Sequence, residues 1–137
     1  MLTIPRGVVD KIVSEAEQSH PDECCGLLAG KGELVSRALP IANAQVSATG
    51  YFMDPQGQFE AARVMRQEGE ELLGIYHSHP MSRAYPSERD VKLAFHDVVY
   101  LIVSVFEGEA GGKAECEEMR AFRITEGTVA EVPVRIS

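Results

Sequence analysis

Two histidines one residue apart, His77 and His79, constrain this chain more than any other feature of it. Side chains at i and i+2 share a face only on an extended strand. On a helix the same pair would point about 160° apart, given 3.6 residues per turn. Just upstream, Leu72-Leu73-Gly74-Ile75-Tyr76 is an apolar run of strand length, and Pro80 follows the second histidine. The pattern predicts a buried strand, ended at Pro80, that delivers both imidazoles to one point.

Imidazole is the commonest metal ligand, and a metal site built on this pair needs a third donor. Asp90 is the candidate. It also has a plain structural role open to it, because Ser87-Glu88-Arg89-Asp90 has the form of a capping box, in which Ser87 accepts from a backbone N–H and Asp90 reaches back. That role explains Ser87 and Asp90 without any metal. It does not explain their place in the chain. Only the seven residues 80–86 separate His79 from Ser87, so the helix start must lie close to the end of the strand.

Elsewhere the hydrophobic pattern predicts a helix from Ile4 to Ser19, with Val8, Val9, Ile12, Val13 and Ala16 on one stripe. Strands are expected at Cys24–Ala29, Leu34–Ile41 and Tyr51–Met53, the last closed by Asp54-Pro55. Gln58 to Glu71 reads as a second helix and Ser87 to about Asp97 as a third, with a loop over Met81–Pro86 between the histidine strand and the latter. Val98–Phe106 is the most apolar segment and reads as the central strand. Glu107–Lys113 reads as an exposed turn, and Ala114–Ile124 and Thr128–Ile136 as two closing strands. This order predicts an α+β fold, a mixed sheet with helices packed against it, in a single domain over residues 1–137.

Charge narrows the function. Thirteen Lys and Arg against 21 Asp and Glu give a net charge of −8, which argues against nucleic acid and against an anionic membrane surface. No apolar stretch approaches the ~20 residues needed to span a bilayer, and the N-terminus has no export signal, so the expected location is cytoplasmic. Three cysteines, Cys24, Cys25 and Cys116, are an odd number and fit a reducing compartment. Nothing in their setting suggests a cysteine nucleophile. His20 and His96 stand outside any ligand spacing.

The run His77-Ser78-His79-Pro80, six residues, then Ser87-Glu88-Arg89-Asp90 resembles the H-x-H-P-x6-S-x-x-D signature of the JAMM (MPN+) metallopeptidases. An upstream segment, Glu23-Cys24-Cys25-Gly26-Leu27-Leu28, is similar to the glutamate-bearing strand edge of the same family. Two separated motifs agree in order, and the likeness covers Ile4 to Phe106. It implies the three-layer, cytidine-deaminase-like arrangement of that family. It makes His77, His79 and Asp90 the ligands of one Zn2+ per chain, with a water in the fourth position, Glu23 the general base and Ser87 the oxyanion donor. It further implies a peptidase of the small prokaryotic branch, acting after the C-terminal Gly-Gly of a ubiquitin-like or sulfur-carrier protein. Asn43–Met53 and Met81–Pro86 are the segments expected to line a cleft for such a tail. Two rivals remain: a zinc hydrolase of other peptides or small amides on the same fold, and a non-catalytic scaffold. The intact set of five residues speaks against the scaffold. Oligomeric state has no signature in the sequence.

Overall fold

The computed structural model describes residues 1–45, 47–94, 97–108 and 112–137. The first apolar stripe folds as helix α1 (Arg6–Ser19), burying Val9, Ile12 and Ala16. The helix does not begin at Ile4 as the pattern suggested. Leu2–Ile4 is a short strand, β1, and Pro5 stands at the helix N-cap. Three residues are too few to show a period, so the strand merged with the helix pattern that follows it.

The remaining elements run β2 (Cys25–Lys31), β3 (Leu34–Ile41), α2 (Pro55–Glu68), β4 (Glu71–Pro80), α3 (Glu88–Leu93), β5 (Val99–Gly108), β6 (Gly112–Thr125), β7 (Thr128–Val132) and β8 (Val134–Ile136). Four expectations are corrected. Tyr51–Met53 is not a strand; Met53 alone forms an isolated bridge with Asn43. The second helix starts at Pro55, because Asp54 and Pro55 act as N-cap and first helical residue rather than as a strand end. Asp54 accepts from the Gly57 N–H at 2.9 Å, and the left-handed Gly69 (φ 67°) ends the helix before Glu71. The third helix stops at Leu93 with Ala94 as its C-cap. Thr128–Ile136 is two strands, since Pro133 between them has no N–H for a ladder. His96, and 109–111 of the expected Glu107–Lys113 turn, lie outside the described residues.

The eight strands form one mixed sheet in the order β7-β6-β5-β4-β2-β3-β1-β8. β4 and β5 run parallel, as do β1 with both β3 and β8; the other pairs are antiparallel. β7 and β8 are neighbours in sequence across Pro133 yet stand at opposite ends of the strand order. The sheet must therefore curl until its two ends approach, and the Leu2 N–H donates to the Pro133 carbonyl at 2.9 Å.

Strand alternation fills both faces of the sheet. Leu28, Tyr76, Leu101 and Val103 pack on one side with α1, and Leu27, Ile75 and Tyr100 on the other with α2 and with Val91 of α3. The result is three layers, helix–sheet–helices, the α+β arrangement expected. Among the described residues no helix is long and apolar enough to cross a membrane.

Candidate metal centre

β4 lies between β2 and β5, and His77 pairs in register with Cys25 on one side and Ile102 on the other. Both histidines are buried, His77 at 1% exposure. Beyond Pro80 the chain turns back over 81–86, and four contacts fix that turn. Met81 N–H donates to the Val105 carbonyl at 2.8 Å, and the buried Ser104 hydroxyl donates to the Ser82 carbonyl at 2.7 Å. Ala84 N–H donates to Glu118 Oε1 at 2.8 Å, and His79 Nδ1 meets the Arg83 carbonyl at 2.8 Å. This brings Ser87 and α3 back over the strand end.

The capping box is formed: Ser87 Oγ accepts from the Asp90 N–H at 3.0 Å, and Asp90 Oδ2 accepts from the Ser87 N–H at 2.9 Å. The same Oδ2 stands 3.2 Å from His77 Nε2 and 2.9 Å from His79 Nε2, while the two Nε2 atoms are 3.1 Å apart. The oxygen that caps the helix is also the one that faces both imidazoles, so the two readings of Asp90 do not compete.

The chemistry of this triangle tests whether a cation belongs in it. The Arg83 carbonyl can only accept, so His79 Nδ1 carries a proton, and in the neutral ring Nε2 offers a lone pair. Three mutually close atoms cannot alternate donor and acceptor around a triangle. Protons alone therefore leave at least one edge with like facing like. With the His77 proton on Nδ1, a metal ion would satisfy all three lone pairs at once. The edges also fit, since ligands about 2.0–2.1 Å from a tetrahedral ion stand roughly 3.3 Å apart. Among the described residues, His77, His79 and Asp90 are the group of ligating side chains able to hold an ion. Three protein donors leave a tetrahedral ion one open position, the form of a catalytic site.

Electrostatics at the triangle follow from burial and pairing. Burial holds the His77 ring below its ordinary pKa despite the Asp90 carboxylate beside it. For His79 burial also works against the charged form, but the Asp90 hydrogen bond and the Arg83 carbonyl outweigh it and raise the pKa. Burial works against ionised Asp90 too, and its hydrogen bonds to the two imidazoles overcome this, holding it well below the usual carboxylate range.

Glu23 lies at the entry to β2, 6% exposed. The chain on both sides of it is pinned. Its N–H donates to the Ser47 carbonyl at 2.7 Å, and its carbonyl accepts from Asn43 Nδ2 at 3.0 Å. Next to it, Cys24 N–H donates to Ser78 Oγ at 2.8 Å, and Ser78 N–H donates back to the Cys24 carbonyl at 3.0 Å. Glu23 Oε1 is buried with no hydrogen-bond partner among the described residues. Burial pushes this carboxyl up to about 8; His79 and Arg89 pull it down, and Asp90 pushes it further up. A buried carboxylate without a partner is costly, and this one stands within electrostatic reach of His79 and Asp90.

Of the sequence-derived set, Glu23, His77, His79 and Asp90 thus come together, and Ser87 stands exposed at the rim with its O–H proton still available to donate. Of the two segments expected at a cleft, 51–53 line a cavity of about 220 Å3 beside Asp90, together with Ile75, Arg89 and Tyr100. The 81–86 turn instead supports His79. Cys24 and Cys25 are buried free thiols pushed up to about 12 by burial, which removes them as nucleophiles. His20 faces Glu107 at 3.7 Å and has no part in the triangle.

Sequence reasoning placed Tyr51 in a cleft-lining segment but missed its contact with His77, on which its ring stacks with centroids 4.7 Å apart. It also missed Ser78 as the anchor of Cys24. The Ser78 role was accessible: the residue between two histidines on a strand must point to the opposite face.

Comparison with known proteins agrees with this geometry. Residues 5–125 match the Prok-JAB family model, described as prokaryotic homologs of the JAB domain. The chain is 38% identical over 139 residues to the CysO-cysteine peptidase of Mycobacterium tuberculosis, covering 99% of this chain and 91% of that protein. It is 36% identical over 128 residues to the "Probable TtuB-protein conjugate cleaving protease" of Thermus thermophilus, covering 93% and 78%. Among solved structures, protein DSY2949 from Desulfitobacterium hafniense superposes with a TM-score of 0.83 at 34% identity, covering 100% of this chain and 93% of that one.

Proposed function

The chain belongs to the Prok-JAB family, and from that membership we propose that it is a zinc-dependent peptidase hydrolysing the amide bond after the C-terminal Gly-Gly of a ubiquitin-like or sulfur-carrier protein. The observation that carries the reading is the meeting of three lone pairs, His77 Nε2, His79 Nε2 and Asp90 Oδ2, near a buried glutamate whose Oε1 has no partner. The names of the mycobacterial and Thermus relatives, one a peptidase of a cysteine adduct and the other a protease of a protein conjugate, support the substrate class.

His77, His79 and Asp90 would hold the ion. Zinc bound there supplies Lewis acidity and makes hydroxide available near neutral pH by lowering the pKa of water. The rest is the work of this chain's side chains. Glu23, in its ionised form, takes the proton of the attacking water and passes it to the departing amine nitrogen. Its raised affinity for protons suits a group that must first accept and then deliver one. Ser87, with its Oγ already engaged by the Asp90 N–H, donates its hydroxyl proton to the oxygen that becomes negative as the carbonyl carbon turns tetrahedral. Tyr51 covers one face of the His77 ring and excludes water there.

A ubiquitin-fold protein ending in Gly-Gly and extended by one residue is the test substrate. The zinc-loaded protein is expected to release the extension and to lose that activity on chelation. The His77→Ala/His79→Ala double variant should bind no metal where the unmodified chain binds about one zinc, as a single three-ligand site requires. Metal-free protein after reconstitution, or equal turnover of unrelated peptides, overturns the reading.

A further inference from the structure

Arg89 precedes the ligand Asp90 on α3 and is exposed at the rim of the cleft. Its Nη2 donates to Gln45 Oε1 at 2.7 Å, and its guanidinium lies over Gly50, where an added Cβ would meet Cζ at 2.9 Å. Gln45 and Gly50 belong to the segment whose Ser47 carbonyl accepts the Glu23 N–H. The cation therefore sits on the same side of the centre as Glu23, the residue that protonates the departing nitrogen. Among the described residues Arg89 makes no ion pair, in a chain with eight more acidic than basic groups. A guanidinium that contacts no carboxylate directly among the described residues, and acts on Glu23 only through its charge, has donors to spare for an anionic substrate group, and a planar fork of donors fits a carboxylate best.

Resting on the function proposed above, we infer that Arg89, held in place by Gln45, recognises the free α-carboxylate of the leaving group. The site would then prefer adducts in which one amino acid is attached through its α-amine to the Gly-Gly carbonyl, over conjugates attached through a lysine ε-amine. The reaction balances simply. Water adds to the glycine carbonyl carbon, the C–N bond breaks, and one water proton ends on the departing α-amine. The carrier keeps a C-terminal carboxylate and a free amino acid leaves. An α-carboxylate stands two bonds from that nitrogen, whereas a lysine ε-amine carries only methylene groups there. Arg89 is a specificity residue on this view.

The test compares three forms of one ubiquitin-fold protein ending in Gly-Gly. The first is extended by alanine with a free carboxylate, the second by alanine amide, and the third by a lysine joined through its ε-amine. Wild-type protein is expected to favour the free acid in kcat/KM by about tenfold or more, mainly through KM, as a charge-assisted bidentate contact implies. Arg89→Gln should bring the acid and amide forms to nearly equal kcat/KM, and Arg89→Lys should restore part of the preference. Equal turnover of acid and amide by the wild type overturns the inference and leaves the proposed function standing. An equal fall for both in Arg89→Gln also overturns it, because it would make Arg89 only a latch for the 43–51 segment. No turnover of any form by zinc-loaded protein removes the proposed function and the inference together.

Discussion

Glu23 shows most directly how one side chain can be unfavourable for the fold and useful to the site. It is buried, its Oε1 has no hydrogen-bond partner among the described residues, and burial raises its pKa from 4.5 to about 8. The sign of the consequence follows from linkage. Between pH 4.5 and 8 the unfolded chain releases a proton that the folded chain retains, so stability present below pH 4.5 is lost as pH rises through 8. Glutamine at this position does not titrate. Metal-free Glu23→Gln should therefore be more stable than metal-free wild type at pH 8, on the order of 1–3 kcal/mol for relief of a buried unpaired polar group. The gap should close near pH 4. Turnover by the zinc-loaded variant should fall on the order of 10²- to 10⁴-fold, the range for losing a general base, with metal content unchanged. Thermal melts at the two pH values and a steady-state assay check both halves. Full activity would remove Glu23 from the mechanism, and equal melts at pH 8 would remove the burial argument.

Among elements, the pairing of β2 with β4 governs the distance between Glu23 and the His77–His79 pair. Ser78 holds that pairing at its end, because its side chain points away from the His77 and His79 face and accepts the Cys24 N–H. Ser78→Ala leaves a buried N–H unpaired at a cost of about 1–3 kcal/mol. It should lower kcat while one zinc per chain is retained, since the ligands themselves are untouched. Loss of metal in this variant, or an unchanged kcat, would place the anchor elsewhere. Much of this element level was legible beforehand. A period of two around His77 fixed β4, and Ser87 with Asp90 fixed the start of α3, where one carboxylate oxygen serves both as cap and toward the imidazoles. Glu23 was legible only through a resemblance, since a lone glutamate after Pro21-Asp22 has no periodic signal. β1 was illegible, and β8 was read only as the end of one longer strand, because three-residue strands take their existence from partners, here from each other through Leu2–Val134 and Ile4–Ile136. The place of Tyr51 over His77 was illegible for the same reason: it is a tertiary contact, from a segment with no regular structure of its own.

At the scale of the whole molecule, the centre joins parts of the chain that otherwise meet little. Its residues come from the entry to β2, the end of β4 and the first turn of α3, and its supports reach to β5 through Ser104 and to β6 through Glu118. The ligand triangle cannot satisfy itself with protons, and it exists only when the fold has closed. Metal binding at the triangle would then be coupled to folding, since an ion that binds the folded chain and not the unfolded one stabilises by mass action. Zinc at about 100-fold above its Kd should add ~2.7 kcal/mol, or roughly 10 °C in Tm for a domain of this size. The direction with pH is set by the ligands. His79 is held more readily protonated than an ordinary histidine by Asp90, and zinc must displace that proton. The zinc-dependent rise in Tm should therefore shrink as pH falls from about 7.5 to 5.5, where protons compete for the same lone pairs. Melting curves with and without chelator across that range measure it, with the His77→Ala/His79→Ala variant expected to show no zinc-dependent shift at either end. A shift that persists in the double variant would mean that the ion stabilising the fold binds somewhere other than the triangle of His77, His79 and Asp90.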